Sequence, residues 1–414
     1  MFTRNANELY VEDVALARIA DQVGTPTYVY SRSIIEDRYA ALQAALSTCE
    51  HRICYAVKAN SNLSILALMA RLGAGFDIVS GGELERVLRV GAAAESVVFS
   101  GVGKSAADLD FALKAGVGCF NVESRAELMR LERRAKALAR RPRIAIRVNP
   151  DVDAKTHPYI STGLKENKFG VPETEALDLC RYAHNSEALE ISGIDCHIGS
   201  QINEVEPFID ALTHLMGLIG RLRDEGIELE HLDIGGGMGV EYHNEGALDI
   251  HAYGAAIAQV VAASGLTLIV EPGRYLVSDA GVLLTRIEYL KPADGTGMRN
   301  FAVVDAAMND LIRPALYQAW HRVETVHRST AEPRTWDIVG PICESGDFLA
   351  VDRHLALDDT SLLAIFSSGA YGFVQSSNYN TRGRCAEVLV DNDVFHVVRK
   401  RETVSDMLRL ESIV

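Results

Sequence analysis

ICYAVKANSNLSILALMARLGAGFDIVSGGELERVLRVG, residues 53–91, runs from an apolar segment ending at Lys58, through a helical stretch, to a second apolar segment carrying Asp77 and a second helix. Short apolar or β-branched runs bounded by glycine and polar residues are strand signals, and apolar residues recurring at spacings of three and four are helix signals. The alternation continues downstream. Further runs are SVVFSG (96–101), CFNVES (119–124), RIAIRVN (143–149), ISGIDC (191–196) ending at His197, LEHLDI (229–234) ending at Gly235, and LTLIV (266–270) ending at Glu271. Eight strand–helix pairs predict an α/β fold built on a (β/α)8 barrel, whose catalytic groups gather at the carboxyl ends of the strands. A lysine, an aspartate, a histidine, adjacent glycines and a glutamate stand at those ends.

A barrel of this kind takes about 250 residues. The chain has 414 and is 48% hydrophobic, enough for a second core. Near residue 280 the pattern changes to strands separated by turn residues, among them VLLTRIEYL (282–290), NFAVVDAA (300–307), TWDIVG (335–340), FLAVD (348–352), SLLAIFS (361–367) and AEVLVDNDVFHVVR (386–399). The expected division is a barrel over 30–280 and a β-rich domain, sandwich-like or barrel-like, over 1–29 and 281–414. The early segments ELYVEDVAL and PTYVYS either pair with that domain or close the barrel's edge.

A formal net charge of −15 argues against a nucleic-acid partner, because such binding depends on excess Lys and Arg. The basic run from Arg130 to Arg141 reads as a solvated helix face. Apolar stretches are too short to span a membrane, and MFTRNANELYVED lacks the apolar core of an export signal, so a cytoplasmic protein is expected. Seven cysteines without CxxC spacing speak for reduced thiols, six of them buried, with Cys343 in a different setting. No ligand cluster suggests a metal.

The strand ends suggest chemistry. Lys58 is delivered into a partly desolvated mouth, and desolvation frees a lysine amine for Schiff-base formation, although a strand-end lysine taken alone is more often a solvated charge. Gly235, Gly236 and Gly237 follow the seventh strand, and EPGR (271–274) follows the eighth. These barrels often bind phosphate through those two loops, where glycines let backbone N–H groups approach the oxygens; three glycines also make a plain turn. If the phosphate belongs to pyridoxal 5′-phosphate, Lys58 can tether the coenzyme, Glu271 can hold its ring nitrogen protonated, and His197 can pack on its ring. Ser200 offers the phosphate a hydroxyl.

The blocks YAVKANSN, GFDIVSGGELERV, HIGSQ, DIGGGMGV, EPGRYLV, NDLIRPALY, GPICESGD and GAYGFVQSSNYN stand in order, and together they resemble the diaminopimelate decarboxylase family of fold type III, alanine-racemase-like pyridoxal-phosphate enzymes. The resemblance runs from about residue 8 to residue 405. It implies decarboxylation of meso-2,6-diaminopimelate to L-lysine and CO2, the last step of lysine biosynthesis. It also implies coenzyme binding by Lys58, Asp77, His197, Ser200, Gly235, Gly236, Gly237, Glu271, Gly273, Arg274 and Tyr371. Substrate contacts would come from Arg274, Arg313, Tyr317, Glu344 and Tyr371, and the catalytic set would be Lys58, His197 and the proton donor Cys343. Cys343 and Glu344 would come from the opposite subunit of a homodimer.

The substrate also has a physical argument. Diaminopimelate keeps a carboxylate and an ammonium at the end away from the reaction, and Arg274, Arg313 and Glu344 offer both signs of charge. The rivals are a decarboxylase of ornithine, arginine or D-lysine, and a silent pyridoxal-phosphate-binding regulator. Gly383 and Cys385 in TRGRCAEVLV stand where the family commonly has prolines, and Tyr275 stands where a smaller residue is frequent.

Overall fold

A computed structural model describes residues 1–150, 168–293, 295 and 297–414. The chain forms two compact units: Arg38–Val240 with Ala247–Tyr275, and Met1–Asp37 with Glu241–Gly246 and Leu276–Val414. In the first, the parallel strands His51–Ala56, Gly75–Ile78, Val97–Phe99, Cys119–Val122, Arg143–Arg147, Glu190–Asp195, His231–Asp233 and Thr267–Val270 close into a barrel. These are the eight runs read from the sequence. Their residues are almost continuously buried, because parallel strands covered on both faces lose the polar–apolar alternation of a half-exposed sheet.

Register brings the polar strand ends level. Ala56 lies opposite Asp77, Arg147 opposite Asp195, and Asp195 opposite Asp233. Beyond the strand ends, Asn62, Ser80, Ser105 and Ser124 cap the next helices, each side chain accepting a hydrogen bond from a first-turn amide. Helix Glu206–Asp224 buries Phe208, Leu212, Leu215, Leu218 and Leu222 along one stripe, as an outer barrel helix should. Helix Arg125–Ala137 buries Leu128, Leu131 and Ala135 and exposes Arg130, Arg133 and Lys136, so the basic run is a solvated face.

The second unit is built on a mixed nine-stranded sheet. Its centre is Gly281–Lys291, which pairs with Thr27–Ser31, Asn300–Val304 and Leu362–Ile365. Thr27–Ser31, buried throughout, also pairs with Ala386–Asp391. The early PTYVYS segment therefore joins this sheet and not the barrel's edge. Phe2–Asn5, Glu8–Val11 and Val14–Ala15 form a separate three-stranded sheet. Leu9, Val11 and Val14 share one core with Val29, Val282, Leu284, Val388 and Val390, so the two sheets bury a common apolar face. The excursion Glu241–Gly246 leaves the barrel chain and belongs to this unit, which the expected single boundary near residue 280 does not include.

The two unusual residues near 384 have local reasons. A Cβ on Gly383 would lie 2.2 Å from the Glu402 carbonyl oxygen, which excludes any larger residue without rearrangement. The buried Cys385 thiol donates to Asp310 Oδ1 at 3.1 Å. Five cysteines are buried and Cys343 is exposed; Cys49 is only half-buried, against the expectation of six buried thiols.

Candidate active site

Lys58 sits in a single turn of 3-10 helix, Val57–Ala59, at the end of the first barrel strand. Its amine lies 2.5 Å from Asp77 Oδ2; the lysine side chain is 36% exposed and the aspartate fully buried. The register that pairs Ala56 with Asp77 makes this contact, and it gives the amine a proton acceptor within hydrogen-bonding reach.

His197 follows the sixth strand. Its Nδ1 accepts the Gly236 backbone N–H at 3.1 Å, which places the proton of the neutral ring on Nε2. Burial, with Arg147 and Lys58 nearby, holds the His197 pKa well below the ordinary imidazole value. The ring is therefore neutral and can cover a flat ligand without adding charge. Gly235 adopts φ +67°, and a Cβ there would lie 2.3 Å from His197 Nδ1. One on Gly236 would lie 2.2 Å from the Glu271 carbonyl oxygen. The glycines are thus dictated by the close approach of three strand ends, and they leave bare backbone at the mouth. Beside Gly273, the buried Arg274 donates to Ser200 Oγ at 3.0 Å, which places a guanidinium and a hydroxyl side by side, two groups that can donate to an anion.

Glu271 ends the eighth strand and accepts from Ser100 Oγ at 3.3 Å. Asn121 Nδ2 donates to that same Ser100 Oγ and to Asp233 Oδ2 at 3.4 Å. Burial, then the charges of Asp233, Asp77 and Asp195, push the Glu271 pKa well above the carboxylate range. Burial and the Asp233 charge raise Asp195 likewise, and burial pushes Asp233 up to about 7. Carboxyls so close together retain protons near neutral pH, and Glu271 can share one with a ring nitrogen.

These shifts carry a sign. A group whose pKa is raised on folding stabilises the fold fully below its unfolded pKa, and loses that contribution as pH rises through the folded value. The coenzyme-free protein is therefore expected to lose stability from pH 5 to pH 8, the range through which Asp233 titrates. Asp233→Asn, which keeps an acceptor for the Gly235 N–H, should flatten that slope by on the order of 1–3 kcal/mol. Urea unfolding at pH 5 and pH 8 checks this; an unchanged slope would show that Asp233 is ionised throughout.

Sequence reading missed several of these groups. Arg147, Asp195 and Asp233 end barrel strands just as Lys58, His197 and Glu271 adjoin them, so the same punctuation marks them. Glu123 organises the loops behind them: it accepts from Arg147 at 3.0 Å, Gly101 N at 2.9 Å and Gly170 N at 3.2 Å.

Arg313, Tyr317, Cys343, Glu344 and Tyr371 belong to the second unit. Arg313 is buried at the start of the short helix Arg313–Tyr317. Its guanidinium carbon lies 4.6 Å from the centre of the Tyr242 ring, a cation–π contact. Cys343 and Glu344 are exposed in a loop held by Asp347, which accepts from Ile342 N at 2.8 Å and Met308 N at 2.7 Å. Cys343 N approaches Asn380 Oδ1 at 3.5 Å, and Tyr379 donates its hydroxyl to Glu344. Tyr371 has φ +56°, a left-handed conformation that costs an aromatic residue energy and commonly marks functional loops. Among the described residues no cluster of three His, Cys, Asp or Glu is placed to hold a metal, and no helix is long and apolar enough to cross a membrane.

The barrel residues fit pyridoxal 5′-phosphate. They present an amine on a proton acceptor, a buried proton-holding carboxyl, a neutral imidazole, and a glycine loop that side chains would fill. A family model described as the pyridoxal-binding domain of pyridoxal-dependent decarboxylases matches residues 32–278. Over 412 residues the chain is 58% identical to the diaminopimelate decarboxylase of Pseudomonas aeruginosa, covering 100% of this chain and 99% of that one. The crystal structure of diaminopimelate decarboxylase from Helicobacter pylori complexed with L-lysine superposes with a TM-score of 0.91 at 42% identity, covering 95% and 98% of the two chains. The crystal structure of diaminopimelate decarboxylase from M. jannaschii in co-complex with L-lysine superposes with a TM-score of 0.94 at 34% identity, covering 100% and 98% of the two chains.

Proposed function

From the premise that the chain belongs to the diaminopimelate decarboxylase family, we propose that it converts meso-2,6-diaminopimelate to L-lysine and CO2 with pyridoxal 5′-phosphate, the last step of lysine biosynthesis. The observation that carries the reading is the Lys58–Asp77 pair at the same barrel end as His197 and Glu271. When bound, the coenzyme supplies an electron sink for the pair left by a departing carboxylate.

The chain's own residues do the rest. Lys58 tethers the coenzyme, with Asp77 beside it to take up or return the amine proton. Glu271 keeps a proton at the ring nitrogen, a role suited to a carboxyl whose pKa burial raises. His197 covers the ring as a neutral imidazole. Gly235, Gly236, Gly237, Ser200, Gly273, Arg274 and Tyr371 hold the phosphate.

Arg274, Arg313, Tyr317, Tyr371 and Glu344 receive the substrate, the arginines taking the distal carboxylate and Glu344 the distal ammonium. Cys343 Sγ gives a proton to the carbon that has lost its carboxylate. The assembly is a homodimer in which the partner subunit supplies Cys343 and Glu344, a reading supported by the exposure of both residues in each chain.

The holoenzyme should release CO2 from meso-diaminopimelate and leave L-ornithine, L-arginine and D-lysine essentially untouched. A site built to pair a distal carboxylate discriminates against ligands without one by on the order of 10²-fold or more. Faster CO2 release from ornithine would overturn the substrate assignment while leaving the coenzyme site intact.

A further inference from the structure

His321 is fully buried, and both ring nitrogens have partners. Nδ1 lies 2.8 Å from the Phe366 carbonyl oxygen, an atom that can only accept, so Nδ1 carries the proton. Nε2 lies 2.9 Å from Arg313 Nη1, which can only donate, so Nε2 presents its lone pair. The two contacts together select one neutral tautomer. The other tautomer, or the imidazolium, would set an N–H against the guanidinium.

Around this pair the excursion Glu241–Gly246 is pinned twice. The Tyr242 ring meets His321 edge-on at 5.4 Å and also lies against the Arg313 guanidinium. His243 stacks on Trp320 at 4.3 Å, and Trp320 in turn carries the Arg353 guanidinium at 4.4 Å. Tyr242 OH reaches Ser278 Oγ at 3.2 Å. A long, flexible arginine is thus held by an imidazole lone pair on one N–H and by an aromatic face. Neither of these two contacts carries negative charge.

We propose that His321 is a specificity-determining positioning residue: its Nε2 lone pair fixes the Arg313 guanidinium in the orientation in which it meets the distal carboxylate of an amino-acid ligand. This rests on the reading of Arg313 as the anchor for that carboxylate. The expected signature is selective. Loss of the lone pair weakens ligands that keep a distal carboxylate, namely meso-diaminopimelate and L-lysine, and spares cadaverine, the diamine that lacks one.

The test compares His321→Gln with His321→Asn in the holoenzyme. Glutamine can place its amide oxygen near the Nε2 position, whereas asparagine reaches only the Nδ1 position and leaves Arg313 without that acceptor. For His321→Asn, KM for meso-diaminopimelate and the calorimetric Kd for L-lysine should rise roughly tenfold or more, with kcat changing much less. The Kd for cadaverine should hold, and His321→Gln should recover most of the loss. Coenzyme absorbance and melting temperature serve as the check on folding.

Equal weakening of L-lysine and cadaverine, or equal behaviour of the two variants, overturns the proposal. Arg313→Leu separates the two levels. If it leaves L-lysine binding unchanged, the reading of Arg313 has failed; if it weakens L-lysine while His321→Asn does not, only the role of His321 has failed.

Discussion

Lys58→Ala should lower turnover of meso-diaminopimelate by at least roughly 10⁴-fold, the scale on which loss of an essential nucleophile acts. The protein should also retain no coenzyme after borohydride reduction. Lys58 lies outside the core, with its side chain 36% exposed, so little packing is lost. The cost falls on Asp77, which is fully buried and sits 2.5 Å from the missing amine. An unpaired buried carboxylate costs several kcal/mol or takes up a proton. The double variant Lys58→Ala/Asp77→Asn should therefore be more stable than Lys58→Ala alone and equally inactive. Thermal melts and single-turnover assays of the two proteins check both halves; substantial turnover by Lys58→Ala would remove this amine from the reaction.

Cys343→Ala should cut turnover by on the order of 10²–10⁴-fold, the usual contribution of a positioned general acid. Its thiol is exposed, so the change removes no core packing, and melting temperature and coenzyme absorbance should match the parent. Product analysis adds a second readout. Without a positioned donor, the deuteron taken up in deuterated water should arrive with scrambled configuration at the new carbon–deuterium bond. The proposed homodimer gives a third, because in a site shared as proposed Lys58→Ala and Cys343→Ala would place their defects on different subunits. Mixed subunits should regain activity that neither parent shows; no recovery, despite subunit exchange, would argue against sharing.

Much of the barrel and its rim is legible in the sequence. The eight barrel strands announce themselves because parallel strands buried on both faces are written as short, continuous apolar runs. Lys58, Asp77, His197 and Glu271 were visible because polar residues directly after such runs fall at one rim. Arg147, Asp195 and Asp233 occupy equally marked positions, yet their effect is collective. That Asp195 and Asp233 raise their neighbours' pKa while Arg147 lowers them depends on cross-strand register, which no single run records.

The excursion Glu241–Gly246 was invisible for a related reason. Its place in the second unit is set by Tyr242 against Arg313 and His321, and by His243 against Trp320, contacts separated by 71 to 79 residues of sequence. In sequence the glycines at 235 and 236 fit either a turn or a phosphate loop. The structure adds that His197 and the Glu271 backbone leave no room for side chains there.

The central claim is that the Lys58 amine tethers the coenzyme at the rim shared by His197 and Glu271. Reducing the holoenzyme with borohydride, digesting it and mapping the pyridoxyl-modified peptide tests this most directly. The modification should fall on Lys58, within the peptide containing YAVKANSN. A pyridoxyl group on any other lysine, with Lys58 unmodified, would contradict the account.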